Sequence, residues 1–313
     1  MPNTLLVYNP VAGRYPSRML TERAAEVLKR YGWEVEIETT SGGEHIRSLA
    51  IQAVEEEKDA LIVVGGDGSL NKALPGLVGT ETALGVLPAG TANVWAQQIG
   101  LPGLRLTRLK ALEESAHRLA KGQIKRMDVG LSNDKHFLLW SGIGIDAFIV
   151  HRIEPRKQWE KNFTVMRYAA SAVWSASQWQ GINLRVETDD LNIEGNFLLA
   201  EVSNIRLYAG GYATLSPQAS LDDGLMELWL FDGESLEEVL QQAWSIWSGR
   251  HVSSKRVQFR QFKKVTLESD SPIFLQMDGE PEIGGRQVSI SVIPRGLKVL
   301  IPEGAPEELF QAN

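Results

Sequence analysis

Two apolar runs, LIVVGG and ALGVLP, each end in a glycine-bearing turn, and each is followed at once by a helical pattern. This alternation constrains the chain more than any other feature. An uninterrupted apolar strand is buried on both faces, which is the signature of a parallel sheet covered by helices. The same rhythm starts earlier. TLLVYNP reads as a strand ending in a turn, and SRMLTERAAEVLKRYG reads as a helix with Gly32 as its C-cap. WEVEIETT alternates like a half-buried strand, and HIRSLAIQAVEEEK follows as a second helix. Further helices are expected from about Leu70 and from about Thr91. Such β–α repetition predicts an α/β domain with a three-layer parallel sheet.

Near Asp128 the texture changes. HFLLWSG, NLRVETDD, GNFLLAEVSN, LMELWLF, VQFRQF, KVTLES, IFLQMDGE and VSISVIP are short strand-like runs separated by turn residues. They predict a mainly antiparallel β-sandwich. Two helical patterns, NFTVMRYAASAVWSASQWQ and SLEEVLQQAWSIWSG, interrupt them. The expected division is a nucleotide-binding α/β domain over 1–127, to which 296–313 returns, and a β-rich substrate and catalytic domain over 128–295. A cleft between the two is the natural site.

Composition excludes several functions. There is no cysteine, which removes disulfides, Cys–zinc sites and a Cys nucleophile and fits a cytoplasmic protein. The five histidines show no metal-ligand spacing. A net charge of −7 argues against nucleic acid as a partner. No apolar run reaches membrane-spanning length, and MPNTLLVYNP does not read as a signal peptide.

The turn GGDGSLN raises a chemical question. Gly65, Gly66 and Gly68 let backbone N–H groups approach a ligand, and the helix that follows favours anions. Asp67 would repel bare phosphate oxygens, so a carboxylate here suits Mg²⁺ or a hydroxyl donor. The alternative is a tight βα turn with Asp67 as helix cap. The pattern is not a P-loop. The next strand repeats the construction, with Gly90, Thr91 and Asn93 opening a helix. Two adjacent strand ends thus offer glycine-lined turns that together suit one nucleotide.

GGDGSLN followed by LPAGTANVWAQQIGLP resembles the diacylglycerol kinase catalytic domain family, in its bacterial lipid-kinase branch, related to sphingosine kinases and distantly to NAD kinases. VYNPVAGR near the start resembles the family's first strand and turn, and FLLWSGIGIDA, AEVSNIRLYAGG, LSPQASLDDGLMEL and LQMDGEP match later family segments in order. The resemblance implies an ATP- and Mg²⁺-dependent lipid kinase with an NAD kinase-like fold. It implies nucleotide contacts at Asn9, Pro10 and Gly13, at Thr39 (or Thr40), at Gly65, Gly66, Asp67, Gly68, Ser69, Leu70 and Asn71, and at Gly90, Thr91 and Asn93. It places the catalytic groups at Glu280 or Asp278, with Asp67 on the facing wall. It also implies a structural Mg²⁺ held by the Asp223 side chain with the Ser220 and Leu225 carbonyls. The implied partner is a lipid at a membrane surface, with a homo-oligomer allowed. Two departures stand out. Ser69 replaces a commoner Thr, and Val94 stands where many diacylglycerol kinases carry Asp, a position at which sphingosine kinases also lack Asp.

Other readings stay open. The acceptor could be a soluble alcohol or an NAD-like molecule, or the chain could be a non-catalytic lipid or nucleotide sensor. Asp-Gly within MDGE is also a common hairpin turn. GIGIDA mimics a dinucleotide fingerprint but reads better as a cleft lining with Asp146 as a polar contact. His151, Arg152, Arg156, Lys157 and Lys161 with Trp159 are either a solvated loop or an anionic-surface contact. Trp174, Trp179, Trp244 and Trp247 are expected mostly in the core, with some lining an acyl pocket.

Overall fold

In the computed structural model, residues 1–10, 17–104, 108, 110–153 and 179–311 are described. Gly13, Arg156, Lys157, Trp159, Lys161, Trp174 and most of the NFTVMRY helical pattern lie outside them. The N-terminal strands are β1 Asn3–Tyr8, β2 Glu34–Thr39, β3 Ala60–Gly65 and β4 Ala83–Pro88. They run in the order β4-β3-β1-β2, all parallel. Leu5, Leu6, Leu61, Ile62, Leu84 and Leu87 are fully buried, as strands covered on both faces require. Helices α1 Ser17–Arg30, α2 Gly43–Glu55 and α3 Asp67–Leu77 connect them, and α4 Val94–Gln98 and α5 Ala111–Ala120 follow β4. α1 packs on α5 and α2 on α3, which gives the three layers. Gly32 takes φ +83, the left-handed value a C-cap glycine supplies. Two helix starts differ from expectation. α3 begins at Asp67, not Leu70, and the second turn runs on to Val94 before its short helix starts. The α5 helix had no place in the sequence reading.

The second half carries β5 Gln123–Ser132, β6 Lys135–Phe137, β7 Trp140–Gly144, β8 Ile182–Glu187, β9 Asn192–Ser203, β10 Leu207–Tyr208, β11 Ala213–Thr214, β12 Met226–Asp232, β13 Val257–Phe262, β14 Lys264–Glu268, β15 Phe274–Met277, β16 Glu280–Ile283 and β17 Gln287–Ile301. All pairings among them are antiparallel. Helix α6, Ile145–Ile153, follows β7 directly, and Leu236–Trp247 forms a further helix with a Ser235–Glu238 capping box. The fold is thus an α/β domain with a parallel sheet joined to a mainly antiparallel β-sandwich.

β17 links the halves. It pairs with β14 and β5 in the sandwich and, at Val299↔Leu84, lies parallel beside β4. Leu297, Val299, Leu300, Ile301, Leu309 and Phe310 belong to the N-terminal core. The division at 127/128 remains our proposal, since β5 crosses it without a break.

Candidate active site

The carboxyl ends of β3 and β4 meet the β15–β16 hairpin across a cleft. The two glycine loops touch each other first. A Cβ on Gly90 would stand 2.5 Å from the Gly66 Cα, so both glycines are needed for loop-to-loop approach. Gly68 differs: it is exposed, and a Cβ there would meet just Glu280 Oε1, at 3.9 Å. It is the glycine whose backbone is open to a ligand.

Asp67 fastens the two loops. Its Oδ2 accepts from Val94 N at 2.9 Å and its Oδ1 from Trp95 N at 3.0 Å, at the start of α4. Burial pushes its carboxyl upward while these N–H groups oppose the shift. Asp67 thus caps a helix, but the helix of the second loop rather than its own. Asn93 closes that second loop. It sits at φ +56, accepts from Gly90 N at 2.8 Å and donates to Gly90 O at 2.9 Å. Its amide is buried and bonded within the loop. The Leu70 side chain is fully buried in the core, so a contact from it to nucleotide is through the backbone. Val94 is buried in the same core and presents no side chain to the cleft.

Across the cleft, Asp278 and Glu280 are unlike. Asp278 Oδ1 accepts from Leu139 N at 2.8 Å and Trp140 N at 3.1 Å. Its Oδ2 accepts from Leu138 N and from Asn71 Nδ2, both at 2.8 Å. Burial raises its carboxyl, with the Leu138 N–H the strongest opposing contact. With four donors on it, Asp278 is a fastening point between the loops and the hairpin, and Asn71 is committed to it. Glu280 is exposed and meets Lys72 Nζ at 3.4 Å from α3. Lys72 was not singled out in the sequence; the available signal was a lysine one turn into the helix after GGDG.

The remaining sites scatter. Asn9 and Pro10 directly follow β1, and Ser69 lies half-buried with its Oγ beside Gly65. Thr91 is exposed. Thr39 is exposed at the end of β2, whereas Thr40 is buried with its hydroxyl lacking a hydrogen-bond partner. Trp244 and Trp247 are exposed, contrary to a core role, while Trp179 packs against the sandwich and donates to Leu198 O.

The Asp222-Asp223-Gly224 turn lies at a separate small cavity lined by Ser203, Ser220, Asp223, Leu225, Glu227 and Gln261, among others. Asp223 Oδ1 accepts from Leu225 N at 2.9 Å. Both oxygens of Glu227 are buried, and burial pushes its carboxyl up to about 7, the nearby Ser216 side chain opposing and Asp223 adding to the rise. Two carboxylates, one of them buried, fit a hard cation with oxygen ligands. No cluster of three His, Cys, Asp or Glu side chains suited to a metal occurs among the described residues. Asp128, also overlooked in the sequence, holds this turn to β17: it accepts from Gly224 N at 2.7 Å and Arg295 N at 2.6 Å.

A glycine-lined loop pair at the ends of parallel strands, faced by an exposed carboxylate from a β-sandwich, suits phosphoryl transfer to an alcohol. Residues 3–132 match the diacylglycerol kinase catalytic domain, and 141–301 match the YegS C-terminal NAD kinase beta sandwich-like domain. Diacylglycerol kinase of Mycobacterium tuberculosis (strain ATCC 25618 / H37Rv) is 30% identical over 94% of this chain and 93% of its own. Diacylglycerol kinase of Bacillus subtilis (strain 168) is 25% identical over 99% of each. A crystal structure of a diacylglycerol kinase from Bacillus anthracis str. Sterne superposes with a TM-score of 0.71, at 19% identity over 96% of each chain. The chain belongs to the diacylglycerol kinase family of lipid kinases. Among the described residues no helix is long and apolar enough to cross a membrane.

Proposed function

We propose that this chain transfers the γ-phosphoryl group of ATP, with Mg²⁺, to a hydroxyl of a diacylglycerol-like lipid at the cytoplasmic membrane surface. One observation carries the reading: Glu280 Oε1 lies 3.9 Å from where a Cβ on Gly68 would stand, so an exposed carboxylate faces the open backbone of the GGDG loop. Mg²⁺ arriving with the nucleotide supplies charge neutralisation. The backbone of Gly68 and the start of α3 receive phosphate oxygens, as helix N-termini do. Lys72 balances Glu280 in the resting cleft and is in reach to turn toward phosphate. Glu280 accepts the acceptor hydroxyl's proton as the phosphoryl group arrives, the timing a loose transition state allows. Asp67 and Asp278 hold the walls rather than react. Ser220, Asp223 and Leu225, with Glu227 beside them, would hold the structural cation.

Transfer of labelled γ-phosphate to a total lipid extract, with the product identified, tests this. Label in a phosphorylated diacylglycerol-like lipid is expected. Label in a soluble alcohol or NAD alone, or ATP binding with no turnover, overturns the lipid assignment.

A further inference from the structure

Beneath the hairpin that carries Glu280 lies a second carboxyl pair that this reaction does not use. Asp146 sits in the first turn of α6, directly after β7, and Glu201 lies on β9, fully buried. Gly142 on β7 makes room for both. A Cβ there would stand 2.0 Å from Asp146 Oδ2 and 2.3 Å from Glu201 Oε2, so the two carboxyls face each other across the space glycine leaves.

Gln276 on β15 reads this pair. Its Nε2 donates to Asp146 Oδ2 at 3.0 Å and lies 3.4 Å from Glu201 Oε1. Its Oε1 points the other way and accepts from Gly279 N at 2.8 Å. Gly279 stands between Asp278 and Glu280, and both Asp278 and Gly279 have positive φ, at +50 and +83. A two-residue turn of this kind fixes where Glu280 begins, and Gln276 fixes the turn.

Two ionised carboxylates packed together away from water repel each other. One proton between them removes that repulsion and gives Glu201 Oε2, which no N–H reaches, a partner. Burial, then the facing Asp146, drives the Glu201 carboxyl well above its ordinary range, while the Tyr208 side chain opposes. Burial raises Asp146 as well.

We propose that Asp146 and Glu201, joined by one shared proton, are positioning residues that hold the Asp278–Glu280 turn through Gln276. The inference rests on Glu280 acting as the base. A misplacement of about 1 Å at a reacting group can cost about a hundredfold in rate, which is what such a support prevents.

The test uses Glu201→Ala, Glu201→Gln, Gln276→Ala and the Glu201→Ala/Gln276→Ala double variant of the full chain. Hydrogen exchange is followed in the peptide spanning 274–283, alongside kcat and the KM for ATP. Glu201→Ala should speed exchange in that peptide and lower kcat about tenfold or more, with KM within about twofold, since just the turn moves. Glu201→Gln keeps a donor where the shared proton was and should stay within about twofold of wild type in both readouts. Gln276→Ala should match Glu201→Ala, and the double variant should fall no further, because both act through one link. Additive losses, Glu201→Gln as damaging as Glu201→Ala, or unchanged exchange in Gln276→Ala would overturn the proposal. Should the chain phosphorylate no lipid, the exchange arm still decides whether the pair holds the turn.

Discussion

Replacing Asp278 will cost folding stability, whereas replacing Glu280 will cost turnover. Asp278→Ala strips the acceptor from the N–H groups of Leu138, Leu139 and Trp140 and from the Asn71 amide. A buried donor left without a partner costs about 1–3 kcal/mol. Water reaching from the cleft can satisfy Asn71, and removing a carboxyl that burial already penalises offsets part of the loss. The three backbone donors, taken at the low end, leave about 3 kcal/mol. Alanine at the left-handed φ of +50 adds about 1 kcal/mol. A total near 4 kcal/mol should lower Tm by roughly 10 °C. Glu280→Gln loses one exposed ion pair with Lys72, at 3.4 Å. Such pairs contribute about 0–1 kcal/mol, so Tm should hold to within a few degrees. Its kcat should fall about a hundredfold or more, while nucleotide binding stays. Urea unfolding, calorimetry and turnover on the same preparations provide the measurement. The reasoning fails if Asp278→Ala melts with wild type, or if Glu280→Gln retains near-normal kcat. A stable but inactive Asp278→Asn beside an active Glu280→Gln would exchange the two roles.

Two glycine substitutions should separate packing from ligand approach. Gly90→Ala meets the Gly66 Cα at 2.5 Å and must part the loops, so it should lower both Tm and nucleotide affinity. Gly68→Ala has room and should lower nucleotide affinity alone, read by titration with a non-hydrolysable ATP analogue. Mg²⁺ should raise the Tm of the wild type by binding at Asp223 and Glu227, and Asp223→Asn should abolish the rise; a wild type whose melting ignores Mg²⁺ would refute that site. Glu201 adds a pH dependence. The folded chain holds its proton to higher pH than the unfolded chain does, so stability should fall as pH rises from the ordinary carboxylate range through the raised folded-state value. Denaturation at several pH values should show this slope flattened in Glu201→Gln, and an unchanged slope would count against it.

Much was legible in the order of residues because it depends on local periodicity. The apolar runs at 61–66 and 83–88 fixed parallel strands, and the alternation in WEVEIETT fixed a half-buried one. Glycine turns at the carboxyl ends of adjacent strands located the nucleotide side of the cleft, since chain direction alone puts those ends together. Sequence also bounded the chemistry by supplying carboxylates and no cysteine. What each carboxylate does was not legible, because a carboxyl's role depends on which donors face it. Asp67 and Asp278 look like free acids in GGDG and MDGE, yet N–H groups 27 and 140 residues away occupy them. Glu280 stands in the same short segment as Asp278 and stays exposed, since the turn between them sends the two side chains to different surroundings. The pairing of Asp146 with Glu201 through the space at Gly142 arises where three strands lie side by side. No spacing in the chain encodes that contact, because hydrogen-bond partners across a sheet are set by register and packing.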